Sequence, residues 1–248
     1  MIRLDNLSKV YGNVKAVNRL NLHVPHGEIF GFVGPNGAGK TTTIRMISGL
    51  LAPTGGSVAI DGINMHQDPE AAKKKIGLIP DRPFLYEKLT GIEFLKFTAD
   101  LYRVDDTTFK KNSGELLELF SLSGRSHELI ESYSHGMKQR LIMSAALLHN
   151  PPLIVIDEPM VGLDPRGIET VKHLFKKLAS NGTTIFISTH TLKLAEDLCG
   201  RIGIIHQGVM IASGSMNDLN RVAHMGNANL DQIFFQLTEE DNSSKIKS

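Results

Sequence analysis

Two stretches of this chain carry residue types whose spacing could do chemistry together. Residues 34–42 read GPNGAGKTT, which fits G-x-x-x-x-G-K-[ST] and lies between an apolar run and a segment of helical pattern. Glycines at 34, 37 and 39 let the main chain wrap so that its N–H groups converge on phosphate oxygens. Lys40 can neutralise the β and γ phosphates of a nucleotide, and Thr41 can ligate Mg²⁺. Far along the chain, residues 153–159 read LIVIDEP. An apolar strand there delivers Asp157 to its carboxyl end, where ligands of such sheets bind. Asp157 can hold the metal through water, and the adjacent Glu158 can polarise an attacking water as general base. Without the glycine loop, two neighbouring acids at a strand end would be read as a solvated loop.

A second stretch suited to anions follows from SYSHGMKQR, residues 132–140. Ser134 can cap a helix, and Gly136 removes a side chain where a ligand would come close. Taken alone, Ser134 is only a cap. His190, after another apolar strand, would alone be structural, and none of the ten histidines joins a convincing metal cluster.

The elements that must position these residues can be read from periodicity. Residues 2–10 and 18–24 read as strands, as do 29–33, 57–62 and 75–80. A helix is expected from Lys40 to Leu50. From Thr90 the pattern turns helical: Thr90 with Glu93 forms a capping box, and Phe94, Phe97 and Leu101 follow at helical spacing. A helix over 106–122 is expected to turn Leu116, Leu117, Leu119 and Phe120 inward. The helix after Ser134 carries Met137, Leu141, Ala145 and Leu148 on one face. Beyond LIVID, Asp164 caps a helix with Pro165 at its first position. Strands over 184–189, 201–206 and 209–213 complete an α/β sheet covered on both faces, interrupted by a helical insertion. The last eleven residues are polar and expected to fray.

Composition excludes little and confirms a folded chain. Hydrophobic residues make up 41% and charged residues 21%, and 27 Lys and Arg balance 26 Asp and Glu. That balance lacks the basic surplus of a general nucleic-acid binder. One cysteine, Cys199, suits a reducing compartment. No run approaches the roughly 18 to 20 apolar residues that span a bilayer, and the first residues lack a signal peptide's apolar stretch.

Taken in order, these motifs resemble the ATP-binding cassette family, the nucleotide-binding subunits of ABC transporters, over about residues 2–237. GPNGAGKTT is similar to its Walker A loop, LIVIDEP to its Walker B strand, and YSHGM to its signature loop. GLDP (162–165) is similar to the D-loop, and STH places His190 at the switch position. The fold this implies is α/β: a P-loop NTPase core, a mostly parallel sheet with flanking helices, joined by an N-terminal antiparallel β subdomain and an inserted α-helical subdomain. It forms a single domain over 1–237, with the insertion at about 85–150 and a polar tail at 238–248.

The resemblance implies that ATP and Mg²⁺ are bound. Gly34, Pro35, Asn36, Gly37, Ala38, Gly39, Lys40, Thr41 and Thr42 would cradle phosphates, while Thr41, Asp157 and Asp81 would surround the metal. Glu158, His190 and Lys40 would be catalytic. Tyr11 would stack on adenine, its alternative being a packed or exposed ring. Ser134 and Gly136 of one chain would close over ATP held by another, so the partner is a second ABC ATPase subunit in a homodimer or heterodimer. A separate membrane permease completes the machine, holding this chain at the cytoplasmic face of the membrane, for export by resemblance to the drug, sodium and polysaccharide branch. Phe84, Tyr86, Phe94 and Phe97 either line the permease contact or, the commoner outcome for aromatics, sit in the core. Two rival readings are a soluble ABC ATPase acting on nucleic acid or ribosomes and a nucleotide-responsive module with negligible turnover.

Six residues, in three stretches, depart from the family pattern. Asp81 stands where glutamine is usual, and it either reaches the metal through an added water or serves coupling instead. Tyr133, His135 and Met137 replace the usual leucine, glycine and glutamine of the signature. Met160 and Val161 replace small or polar residues before the D-loop.

Overall fold

The computed structural model describes residues 1–246 other than 83, 159 and 161, with side chains up to residue 239. Val161 and Pro159, both singled out in the sequence, lie outside the described residues.

Two sheets form the frame. The first is antiparallel, in the order β2 (Val14–Val24), β1 (Ile2–Tyr11), β4 (Gly55–Ile60), β5 (Ile63–Asn64). The second has six strands in the order β10 (Val209–Gly214), β9 (Arg201–His206), β3 (Ile29–Val33), β8 (Thr184–Thr189), β7 (Leu153–Asp157), β6 (Ile76–Ile79). All its neighbours are parallel except β9 with β10. Every residue of β3, β7 and β8 is buried, which is why these strands read as unbroken apolar runs and not as alternation.

One face of the parallel sheet packs on α1 (Lys40–Ile47) and the antiparallel sheet, around Phe30, Phe32 and Phe186. Phe186 lies 5.7 Å from Phe30 and 5.4 Å from Phe32 between ring centroids. The opposite face packs on α6 (Pro165–Ser180) and on the insertion, α3 (Gly91–Leu101), α4 (Asp106–Leu119) and α5 (His135–Leu147). The remaining helices are α2 (Pro69–Lys74), α7 (Leu192–Leu198), α8 (Met216–Val222) and α9 (Leu230–Ile246). Of these, α7, α8 and α9 share a third cluster with β9 and β10.

The end signals read in the sequence act as expected from their chemistry. The Thr90 hydroxyl accepts from the Glu93 amide at 3.3 Å while the Glu93 carboxylate accepts from the Thr90 amide at 2.8 Å. Asp164 accepts from the Gly167 amide at 3.1 Å, with Pro165 starting α6. Several boundaries differ. Helix α1 stops at Ile47 and α4 at Leu119, and Leu119 is exposed while Leu117 and Phe120 are buried. The backbone turns at Ser121, whose φ of +56° ends any helix. Helix α9 carries helical backbone as far as Ile246, through most of the stretch expected to fray. Of the four aromatics weighed as core, Phe94 alone is buried; Phe84, Tyr86 and Phe97 are exposed. Their rings meet edge-on, Tyr86 lying 6.0 Å from Phe84 and 5.4 Å from Phe97.

Cys199 sits beneath β3, where a β-carbon on Gly31 would stand 2.9 Å from its sulfur. Burial pushes this thiol up to about 12.

His149, just past α5, stacks on Tyr102 with centroids 3.7 Å apart and planes at 15°. Burial holds its imidazole down to about 4, against an ordinary 6.5. The unfolded chain therefore takes up this proton before the folded one does, and the stabilising contribution is lost as pH falls from 6.5 toward 4. Urea midpoints measured at pH 7.5 and pH 5 should show a smaller acid loss for His149→Phe, which keeps the stacked ring without the proton site, than for the native chain.

Candidate nucleotide site

Strand register decides where the reactive groups fall. Val33 pairs with Thr189, and Asp157 pairs with Ser188. The carboxyl ends of β3, β8 and β7 thus finish level, so Gly34, His190 and Glu158 leave the sheet side by side. This is the edge where ligands of parallel sheets collect.

The glycine loop enters α1 without a side-chain cap, its last residue Gly39 having φ +107°. No acidic side chain occupies the first turn. The free N–H groups and the positive end of the helix dipole are left for an external anion. Gly37 has φ +80° with no atom within 4 Å of a notional β-carbon. Its glycine serves the backbone turn alone.

Lys40 is nearly buried, and its ammonium donates to the Gly34 carbonyl at 2.6 Å and the Pro35 carbonyl at 3.1 Å. Burial lowers its pKa, opposed by the negative charges of Glu158 and Asp157. The ammonium thus braces the loop from within the phosphate cradle.

Thr41 donates its hydroxyl proton to Asp157 Oδ2 at 3.0 Å. Burial raises the Asp157 pKa, and the nearby charges of Glu158 and Asp81 push the same way against the hydrogen bond from Thr41. Crowded, partly desolvated acids beside a hydroxyl form an all-oxygen donor set of the kind a small hard dication prefers. By that chemistry Thr41, Asp157 and Asp81 fit Mg²⁺.

Glu158 has φ +53°, rare for a residue with a side chain. Its amide donates to the Ser188 carbonyl at 2.9 Å, which ties this turn to β8. Its carboxylate accepts from the Thr189 hydroxyl at 3.0 Å, the His190 amide at 2.9 Å and His190 Nδ1 at 2.7 Å. Because an ionised carboxylate only accepts, the proton in the last contact belongs to Nδ1. Glu158 and His190 thus form one unit, the carboxylate turned by three donors.

An open cleft of about 330 Å³ is lined by Asn36, Gly37, Gly39, Lys40, Thr41, Thr42, Asp81, Asp157, Glu158, His190 and Ala16. The first ten were expected there. Ala16, on β2, gave no sequence signal, and Thr189 was visible only as part of STH. Gly34, Pro35 and Ala38 support the loop without lining the cleft. Tyr11 ends β1, half exposed and outside the lining, with the Lys9 ammonium 5.4 Å from its ring centre.

The serine-tipped helix does not line this cleft either. Ser134 is exposed, and its hydroxyl accepts from the Met137 amide at 3.3 Å. Gly136 has a reason within the chain: a β-carbon there would stand 2.7 Å from the Gly162 carbonyl. Arg140 and Asp164 pair at 3.0 Å along the same seam. Tyr133 is buried, its hydroxyl donating to the Arg125 carbonyl at 2.7 Å, and Met160 packs against the core.

Parallel strands that end in such a loop, with a buried carboxylate hydrogen-bonded to the loop threonine, place the chain among the P-loop nucleoside triphosphatases. Its helical insertion and SHGM tip narrow the class further. The family model described as ABC transporter matches residues 17–161. The chain is 41% identical over 219 residues to the linearmycin resistance ATP-binding protein LnrL of Bacillus subtilis (strain 168), covering 88% of this chain and 70% of that one. It superposes with a TM-score of 0.92 on a structure titled as the ATP binding subunit of an ABC transporter, at 34% identity, covering 96% of this chain and 99% of that one. A dimeric, post-hydrolysis structure of the ATP-binding cassette MJ0796 bound to ADP and Pi matches with a TM-score of 0.79 and 30% identity, covering 87% and 98%. This chain belongs to the ABC transporter family of ATP-binding subunits, and its activity is ATP hydrolysis.

Lys40→Ala removes the one ammonium in the cleft lining among the described residues. Titration with a fluorescent ATP analogue should show affinity falling by about a hundredfold or more.

Proposed function

We propose that two such subunits pack head to tail and enclose two MgATP molecules, each held by the Lys40 loop of one chain and the Ser134 helix tip of the other. The observation that carries this reading is the separation of the two anion grips within one chain. The cleft contains the lysine and acids, while the exposed Ser134 tip lies outside its lining. A helix N-terminus offers N–H donors and partial positive charge to a γ-phosphate supplied by a second chain. The dimeric arrangement of the MJ0796 relative supports it.

In this reading the loop residues 34–42 hold the phosphates, with Lys40 on the β and γ groups and Tyr11 against adenine. Mg²⁺, held by Thr41, Asp157 and Asp81, would neutralise phosphate charge as the bond to the leaving group breaks. Glu158 orients the attacking water and accepts its proton, and His190 holds that carboxylate and reaches the γ-phosphate. ATP favours the closed pair and hydrolysis releases it, so differential affinity performs the work.

Among the described residues no helix is long and apolar enough to cross a membrane. In this reading a separate permease provides the span and holds the chain at the inner face of the cell membrane. Phe84, Tyr86 and Phe97 form an exposed aromatic group suited to such docking. The resistance named for LnrL supports export.

Glu158→Gln should slow hydrolysis by about 10²–10⁴-fold, the usual contribution of a general base, and accumulate an ATP-dependent dimer on gel filtration. Unslowed turnover would remove Glu158 from that role. Adding Ser134→Arg to this variant should abolish the dimer while monomer affinity for ATP is kept. A persisting dimer would show that the helix tip is not the second grip.

A further inference from the structure

The turn between β9 and β10 does more than reverse the chain. Its two residues, Gln207 and Gly208, have φ of +47° and +80°, and His206 pairs with Val209 across it. That is the two-residue hairpin in which both turn positions need positive φ. A turn of the same kind, Asp61–Gly62, joins β4 to β5, with φ of +52° and +78° and Ile60 paired with Ile63.

Their surroundings differ. A β-carbon on Gly62 would meet nothing within 4 Å, whereas one on Gly208 would stand 2.9 Å from the Lys15 carbonyl oxygen and 3.0 Å from that of Ala16. The Gly208 amide donates to the Ala38 carbonyl at 2.9 Å, inside the phosphate loop. The Gly208 carbonyl accepts from the Asn18 amide on β2 at 2.8 Å. The contact continues on the far side: a β-carbon on Gly39 would lie 2.3 Å from the same Ala16 carbonyl oxygen. Ala16 itself lines the cleft. Three backbone segments, from β2, the loop and the hairpin, therefore meet without side chains between them.

We infer that Gly208 is a positioning residue for nucleotide binding: the β9–β10 turn clasps the phosphate loop against β2 and fixes the direction of the loop amides. The inference rests on the assignment of the cleft to MgATP. Because backbone cannot yield as a flexible side chain can, a β-carbon at 208 must displace the Lys15 and Ala16 carbonyls or move the turn off its hydrogen bond to Ala38. Either shift moves the amides that have to converge on phosphate, and a misplacement of about 1 Å can cost such a site up to about a hundredfold.

Asparagine tolerates positive φ, so Gly208→Asn keeps the turn and adds the β-carbon. Gly62→Asn is the matched control. MgATP titration should show affinity lowered about tenfold or more in Gly208→Asn, with Gly62→Asn equal to the native chain. Native-like affinity in Gly208→Asn would overturn the clasp, as would an equal loss in both variants, which would mark general destabilisation. Hydrogen exchange on the native protein tests the same point should the variant fail to fold. Saturating MgATP should slow exchange of the Gly208 amide together with those of Lys40 and Thr41, leaving Gly62 unchanged. Protection of Lys40 and Thr41 without Gly208 would also overturn it. A native chain that shows neither affinity for MgATP nor protection at Lys40 and Thr41 would instead count against the nucleotide assignment.

Discussion

Parallel pairing among β3, β8 and β7 is the constraint from which the site follows. In a parallel ladder the strands advance together, so a register that sets Val33 beside Thr189 and Asp157 beside Ser188 also sets what comes after each. The loop threonine precedes Asp157 by 116 residues and Glu158 precedes His190 by 32, yet all leave the sheet within one layer. A slip of one residue in β7 would turn Asp157 to the opposite face. The complete burial of these strands resists such a slip, because Phe186 is held between Phe30 and Phe32 and cannot change sides without emptying that space.

On that edge, opposed charges are held close and partly out of water. Asp157, Glu158 and Asp81 bring negative charge together, and among the described residues Lys40 is the one ammonium of the cleft lining. Burial raises the Asp157 carboxyl and lowers the Lys40 ammonium. Such an arrangement is unfavourable to stability in isolation and favourable to binding a ligand that carries both phosphate and metal charge, since the ligand completes it. The left-handed backbone of Glu158 belongs to the same pattern, strain tolerated where a side chain has to be aimed.

Much of this was legible in the sequence because local chemistry repeats it. The loop motif, the caps at Thr90, Ser134 and Asp164, and the buried strands all follow from short-range spacing. What escaped depends on contacts between distant segments. Gly136 looked like room left for a ligand, and the structure shows the Gly162 carbonyl against it. Ala16 belongs to an ordinary half-buried strand until the sheet folds over the loop. The apolar spacing of Leu116, Leu117, Leu119 and Phe120 suggests a helix to 122, but α4 ends at Leu119 and the backbone turns at Ser121. Phe84, Tyr86 and Phe97 satisfy one another edge-on at the surface, an outcome composition cannot foretell.

The placement of Cys199 under Gly31 has a practical corollary. A thiol whose pKa is about 12 is ionised to only about one part in 10⁵ at neutral pH, and the thiolate is the species that alkylates. Its native sulfur should stay silent toward maleimides. New cysteines on the exposed tip at Ser134 or among the exposed rings near Tyr86 would therefore react with a fluorophore ahead of Cys199.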